Sequence, residues 1–122
     1  MARLHDTNMD FYAKVRATKA VDLKNQGKTI PMEIQVFRLD DDTAIVCLPA
    51  EIFVEFGLAI KKASPFKQTL VISVCNDRPG YVPTLKAFTE GSYEVTNSRL
   101  KAGGGEAMVE AAIKMLNELK RP

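Results

Sequence analysis

A regular alternation begins at Met32. In MEIQVFRL (32–39), Met32, Ile34, Val36 and Arg38 fall on one side of an extended chain, with Glu33, Gln35, Phe37 and Leu39 on the other. A period of two predicts a strand. Asp40, Asp41 and Asp42 follow, and Asp side chains bond their own backbone in turns. TAIVCLP (43–49) is then almost continuously apolar, which predicts a strand covered on both faces. Two strands around so short a turn form a β-hairpin. Pro49 has no amide hydrogen to give a ladder and suits the first turn of a helix. Residues 50–62 therefore read as a helix with Ile52, Phe53, Phe56, Ala59 and Ile60 as its apolar stripe, stopped before Pro65. QTLVISVC (68–75) reads as another buried strand, and NDRPGYVP (76–83) as a loop. TLKAFTEG (84–91) reads as a short helix begun by Thr84 and ended by Gly91, and residues 92–105 as irregular chain. Val109, Ala112, Ile113, Leu116 and Leu119 place a helix over 106–120, supported by the Glu110–Lys114 pair one turn apart. Upstream, Phe11, Val15 and Val21 recur at helical spacing over 8–24.

The order α-β-β-α-β-α-α predicts an α/β fold: a small sheet of about three strands, a hairpin plus a β-α-β unit, flanked by helices. In such units ligands and functional residues collect beyond the carboxyl ends of the strands. Those ends are PAE (49–51) and NDRPGY (76–81), so Glu51 and Tyr81 are expected on the same rim.

Composition narrows the chemistry more than it names it. The 122 residues, 46% apolar and 26% charged, make one domain able to bury a core without metal or disulfides. A net charge of +2 from 17 basic and 15 acidic residues, well mixed, gives no electrostatic case for nucleic acid or an anionic membrane. No apolar run approaches the ~20 residues of a transmembrane helix. The first residues, MARLHDTNMDFY, lack the apolar core of a signal peptide, so a soluble chain is expected. His5 is the only histidine, which excludes a Ser-His-Asp type triad beyond that position and a zinc site built on several imidazoles of this chain. Cys47 and Cys75 end two predicted strands; they read as ordinary buried thiols, with a disulfide open to them if those strands are neighbours. KAGGGEAM (101–108) places glycines before a helix but lacks the Lys-Ser/Thr of a phosphate loop.

Glu51 carries two readings. In a helix's first turn a carboxylate is stabilised by the helix dipole by ~0.3–1 kcal/mol and needs no ligand; beyond a strand end it is also placed to serve a site. Glu55, one turn later, reads as solvated. Tyr81 is either a packed aromatic with a satisfied hydroxyl or a donor at the rim, within a loop that holds polar groups between two prolines.

FRLDDDTAIVCLPAEIFVEFGLAIKKASPF, VISVCNDRPGYVPTLKAFTEGSYEVTNS and GGGEAMVEAAIKML, in this order and spacing, resemble the last part of the neutral/alkaline, non-lysosomal ceramidase family over about residues 30–120. The resemblance implies a C-terminal portion of a zinc amidase that cleaves the N-acyl bond of ceramide or a related lipid amide. It implies that Glu51 stands for the family's glutamate zinc ligand and Tyr81 for its tyrosine ligand, which also acts at the reacting carbonyl. The family's two histidine ligands and its serine belong to an upstream segment that this chain does not match. The expected partner is accordingly that missing N-terminal part, or a second copy through self-association, and the chain alone is expected to be inactive and to hold zinc weakly. Two departures stand out: Ala50 replaces the commoner glycine of a PGE-like motif, and Arg78 and Pro79 replace aromatic positions in the tyrosine loop. A non-catalytic binding or assembly module on the same fold is the alternative.

Overall fold

The computed structural model describes residues 29–121; the helix expected over 8–24, and His5, lie outside them. The chain divides into two compact units, Met1–Pro31 and Met32–Pro122, and the fold is that of the second. Its strands are β1 (Gln35–Arg38), β2 (Thr43–Cys47), β3 (Glu51–Ile52), β4 (Gln68–Ile72) and β5 (Tyr81–Val82). Its helices are α1 (Val54–Ala63), α2 (Leu85–Glu90), α3 (Tyr93–Thr96) and α4 (Gly104–Lys120).

The expected α/β fold is present. A three-stranded sheet has the order β1-β2-β4, with β1 antiparallel and β4 parallel to β2. The hairpin closes as the aspartates require: the Asp40 carboxylate accepts from the amides of Asp42 (2.8 Å) and Thr43 (2.7 Å). The Asp42 amide, above all, holds the Asp40 carboxyl below its usual range. Asp42 in turn accepts the Gln68 amide through its carbonyl at 2.9 Å and Lys67 Nζ through its carboxylate at 2.8 Å, which anchors the start of β4.

The core lies on one face of this sheet. Ala44 and Val46 of β2, with Leu48 and Ala50 beyond it, pack with Phe56 and Ile60 of α1 and with Met108, Val109, Ala112 and Leu116 of α4. Val36 of β1 and Val71 of β4 join from the neighbouring strands, with Met32 and Ile34 from the segment leading into β1; the alternation expected over 32–39 is met, though the strand itself starts at Gln35. Arg38, on the same side of β1, donates to the Leu119 carbonyl at the C-terminal end of α4 (3.1 Å). Gly105 is buried where α1 and α4 meet; a methyl there would stand 2.3 Å from the Phe56 ring. The glycine run is thus packed into the start of α4, with Gly103 as its left-handed cap.

The opposite face corrects the reading of β2 and β4 as strands covered on both sides. Burial alternates along β2, and Leu70 and Ile72 of β4 remain 52% and 45% exposed beside Phe37 of β1 at 49%. Ile45 pairs with Phe37 and Leu70 in one cross-sheet row, so the uncovered side is an apolar strip. Continuous hydrophobicity here means an apolar outer face, which a period count cannot separate from double burial.

The second correction concerns the helix expected over 50–62. The chain bends at Pro49 and Ala50 without entering a helix, and α1 begins only at Val54, after the short β3. Beyond β2 and β4 the two chains remain bonded to each other. Leu48 donates to Ile72, Cys75 to Leu48, Val74 to Ala50, and Ala50 to Asp77, at 2.9–3.1 Å. Ala50, Val74 and Asn76 adopt positive φ of 73°, 59° and 63°, a conformation that costs an L-residue roughly 1–2 kcal/mol. These three kinks redirect the paired chains from the main sheet into the parallel β3–β5 ladder.

Candidate functional site

Glu51 and Tyr81 are direct partners in that ladder. Glu51 N–H donates to the Gly80 carbonyl at 2.9 Å, and Phe53 N–H to that of Val82 at 3.2 Å. Paired residues of a parallel ladder send their side chains to the same side, so the expected shared rim is met. The means differ from expectation: Glu51 belongs to a strand, and the helix-dipole account of its carboxylate falls away. Glu55, not Glu51, is the acid in the first turn of α1, and it is exposed.

The Glu51 carboxylate, as acceptor and as charge, followed by burial, Tyr93 and Glu94, holds the Tyr81 phenol above the ordinary tyrosine range, because ionisation would set two negative charges side by side. The Tyr93 ring packs edge-on against Tyr81, with centroids 5.9 Å apart and planes at 73°. Glu51, Glu55, Ser73, Val74, Tyr81 and Glu94 border an open cleft of about 500 Å³. Glu94 reaches it from the first turn of α3, where its own backbone amide and the Ser92 hydroxyl hold its carboxyl below the usual range.

Glu94 and Tyr93 were not expected at this site. Residues 92–105 read as irregular chain, and the signal available was the Ser92 cap, which accepts from the Val95 amide at 3.4 Å and starts a four-residue helix. Thr84 caps α2 as expected by accepting from Ala87 N–H (3.2 Å), while Glu106, across the fold, accepts the Leu85 amide (2.8 Å).

One carboxylate and one phenol stand side by side there, two donors where a zinc site takes three or four. Among the described residues no three His, Cys, Asp or Glu side chains gather as a metal-holding group. No helix among them is long and apolar enough to cross a membrane. Comparison with protein-family models, with curated proteins and with solved structures finds no match.

Proposed function

We propose that this chain is the C-terminal portion of a neutral ceramidase-like zinc amidase and contributes Glu51 and Tyr81 to a metal site completed by donors outside the described residues. One observation carries the reading: two residues 30 positions apart, each matching a ligand position of the resembled family, are direct ladder partners at the border of one cleft. When bound, zinc would polarise the amide carbonyl or a water. Glu51 brings a fixed negative charge to the cleft. Tyr81 keeps its proton at neutral pH, so ligation through its oxygen requires that proton to leave; before then the hydroxyl can donate to an oxyanion at the same rim. Glu94 and Glu55 make the cleft acidic, which favours a cation and disfavours a carboxylate product left in place. Two donors hold zinc weakly, and the chain alone should not turn over an amide.

Zinc titration followed by tyrosinate absorbance and by calorimetry tests this. The expected result is weak binding that produces a tyrosinate signal, lost in Tyr81→Phe and diminished in Glu51→Gln. A tight single site in the isolated chain, or zinc binding indifferent to both substitutions, overturns it.

The uncovered apolar strip of Phe37, Ile45, Leu70 and Ile72 favours the second reading, a non-catalytic assembly module, since such patches mark interaction surfaces. Sedimentation tests this strip: self-association abolished by Leu70→Lys supports assembly through it, and a monomer at high concentration counts against it.

A further inference from the structure

Cys47 and Cys75 are 28 positions apart in sequence, yet several independent bonds bring them together. Cys47 closes β2 and is the register partner of Ile72. Cys75 directs its thiol to the Ile72 carbonyl at 3.7 Å, and its amide donates to the carbonyl of Leu48, the residue after Cys47, at 3.0 Å. Both cysteines are free and half-buried. The left-handed conformations of Val74 and Asn76, on either side of Cys75, hold this turn in a shape that L-residues adopt only when their surroundings impose it.

We propose that Cys47 and Cys75 are a dithiol modification site, closed to a disulfide by a small-molecule disulfide such as oxidised glutathione, which locks the end of β2 to the connection leading to Tyr81. Burial, and then the Cys75 side chain, push the Cys47 thiol up, so the first attack falls to Cys75. Its thiolate attacks one sulfur of the added disulfide, whose S–S bond breaks and releases one glutathione thiolate. Cys47 then loses its proton to solvent and attacks the Cys75 sulfur of the mixed disulfide, expelling the second glutathione. The protein gives up two electrons and two protons, and the added disulfide takes them. The inference is independent of the amidase reading, since neither cysteine belongs to the Glu51–Tyr81 pair.

The test uses the full chain in oxidised and reduced glutathione, with and without urea, followed by mass spectrometry of non-reduced peptides. A folded chain that loses two hydrogens and yields a Cys47–Cys75 linked peptide meets the expectation, as does an unfolding midpoint that rises on oxidation and falls back with dithiothreitol. Phenylarsine oxide supplies an oxidant-free readout. One equivalent should bridge the two sulfurs of the folded wild type, and Cys47→Ser or Cys75→Ser should each abolish that stable adduct. Two separate glutathione adducts without an internal link, linkage only in urea, or linkage only between chains each overturn the proposal. Because the wild type alone decides these outcomes, a serine variant that folds poorly does not blur them.

Discussion

Gly80→Ala should destabilise this domain disproportionately for the exchange of one hydrogen for one methyl. Gly80 has φ +112°, a region that L-residues enter at a cost of about 1–3 kcal/mol. A Cβ built there would also stand 2.7 Å from the Asn97 carbonyl oxygen. Both sides of that contact are main chain, so no rotamer change relieves it. Relief requires moving β5 away from the bridge between Tyr81 and Ser98, and forced shifts of this kind add about 1–3 kcal/mol. The sum, about 2–6 kcal/mol, is a large part of the 5–15 kcal/mol that stabilises an ordinary domain. Gly91→Ala isolates the first part: its φ is +72°, but nothing lies within 4 Å of its added methyl. Urea unfolding of both variants, followed by circular dichroism, gives the comparison directly. Equal midpoints for Gly80→Ala and Gly91→Ala would refute the backbone clash and, with it, the placement of Gly80 against Asn97.

Other consequences can be measured on the same protein. Tyr81 has a raised pKa in the folded state, so its contribution to stability is complete below the ordinary tyrosine value and is lost as pH rises through the folded one. The urea midpoints of wild type and Tyr81→Phe should therefore converge in strong alkali, and Glu51→Gln should move the Tyr81 absorbance titration down. Asp40 shows the opposite sign: its carboxyl is lowered, its contribution is present above the ordinary Asp value, and it disappears as pH falls through the folded value. The Asp42 and Thr43 amide resonances should shift together in that acid window and show no such step in Asp40→Ala. Glu106→Ala should cost about 1 kcal/mol, the usual worth of a helix cap, because the Leu85 amide loses its acceptor; Glu106→Gln keeps an oxygen there and should cost less in the same unfolding assay.

Much of the fold was legible in the sequence because it rests on repeated local choices. Met32, Ile34 and Val36 announce the inner side of β1, three aspartates announce the turn, and Val109, Ala112 and Leu116 announce α4. The β3–β5 ladder was not legible, because two-residue strands have no period to read. Placing Glu51 in a helix followed the preference of Pro49 for a helix start, whereas the left-handed backbone at Ala50 kinks the chain into β3 instead and leaves no trace in composition. The resemblance to a PGE-like motif does mark this position: glycine adopts the φ of 73° found at Ala50 without strain. Glu51 and Tyr81 themselves were found by strand-end reasoning and by resemblance together. Glu94 was missed because its place in the cleft depends on how the chain returns after α2, which no local pattern encodes.

The parallel ladder beneath Glu51 and Tyr81 has an evolutionary consequence. Their spacing is set by the separation of adjacent strands, about 4.8 Å, and by main-chain bonds from Glu51 to Gly80 and Phe53 to Val82. Their ladder neighbours Ile52 and Val82 pack with the core, so the core fixes where the ladder sits while the main chain fixes the separation within it. Exchange of a single residue at position 51 or 81 can therefore install a different chemistry at the same separation, with no accommodating change elsewhere in the chain.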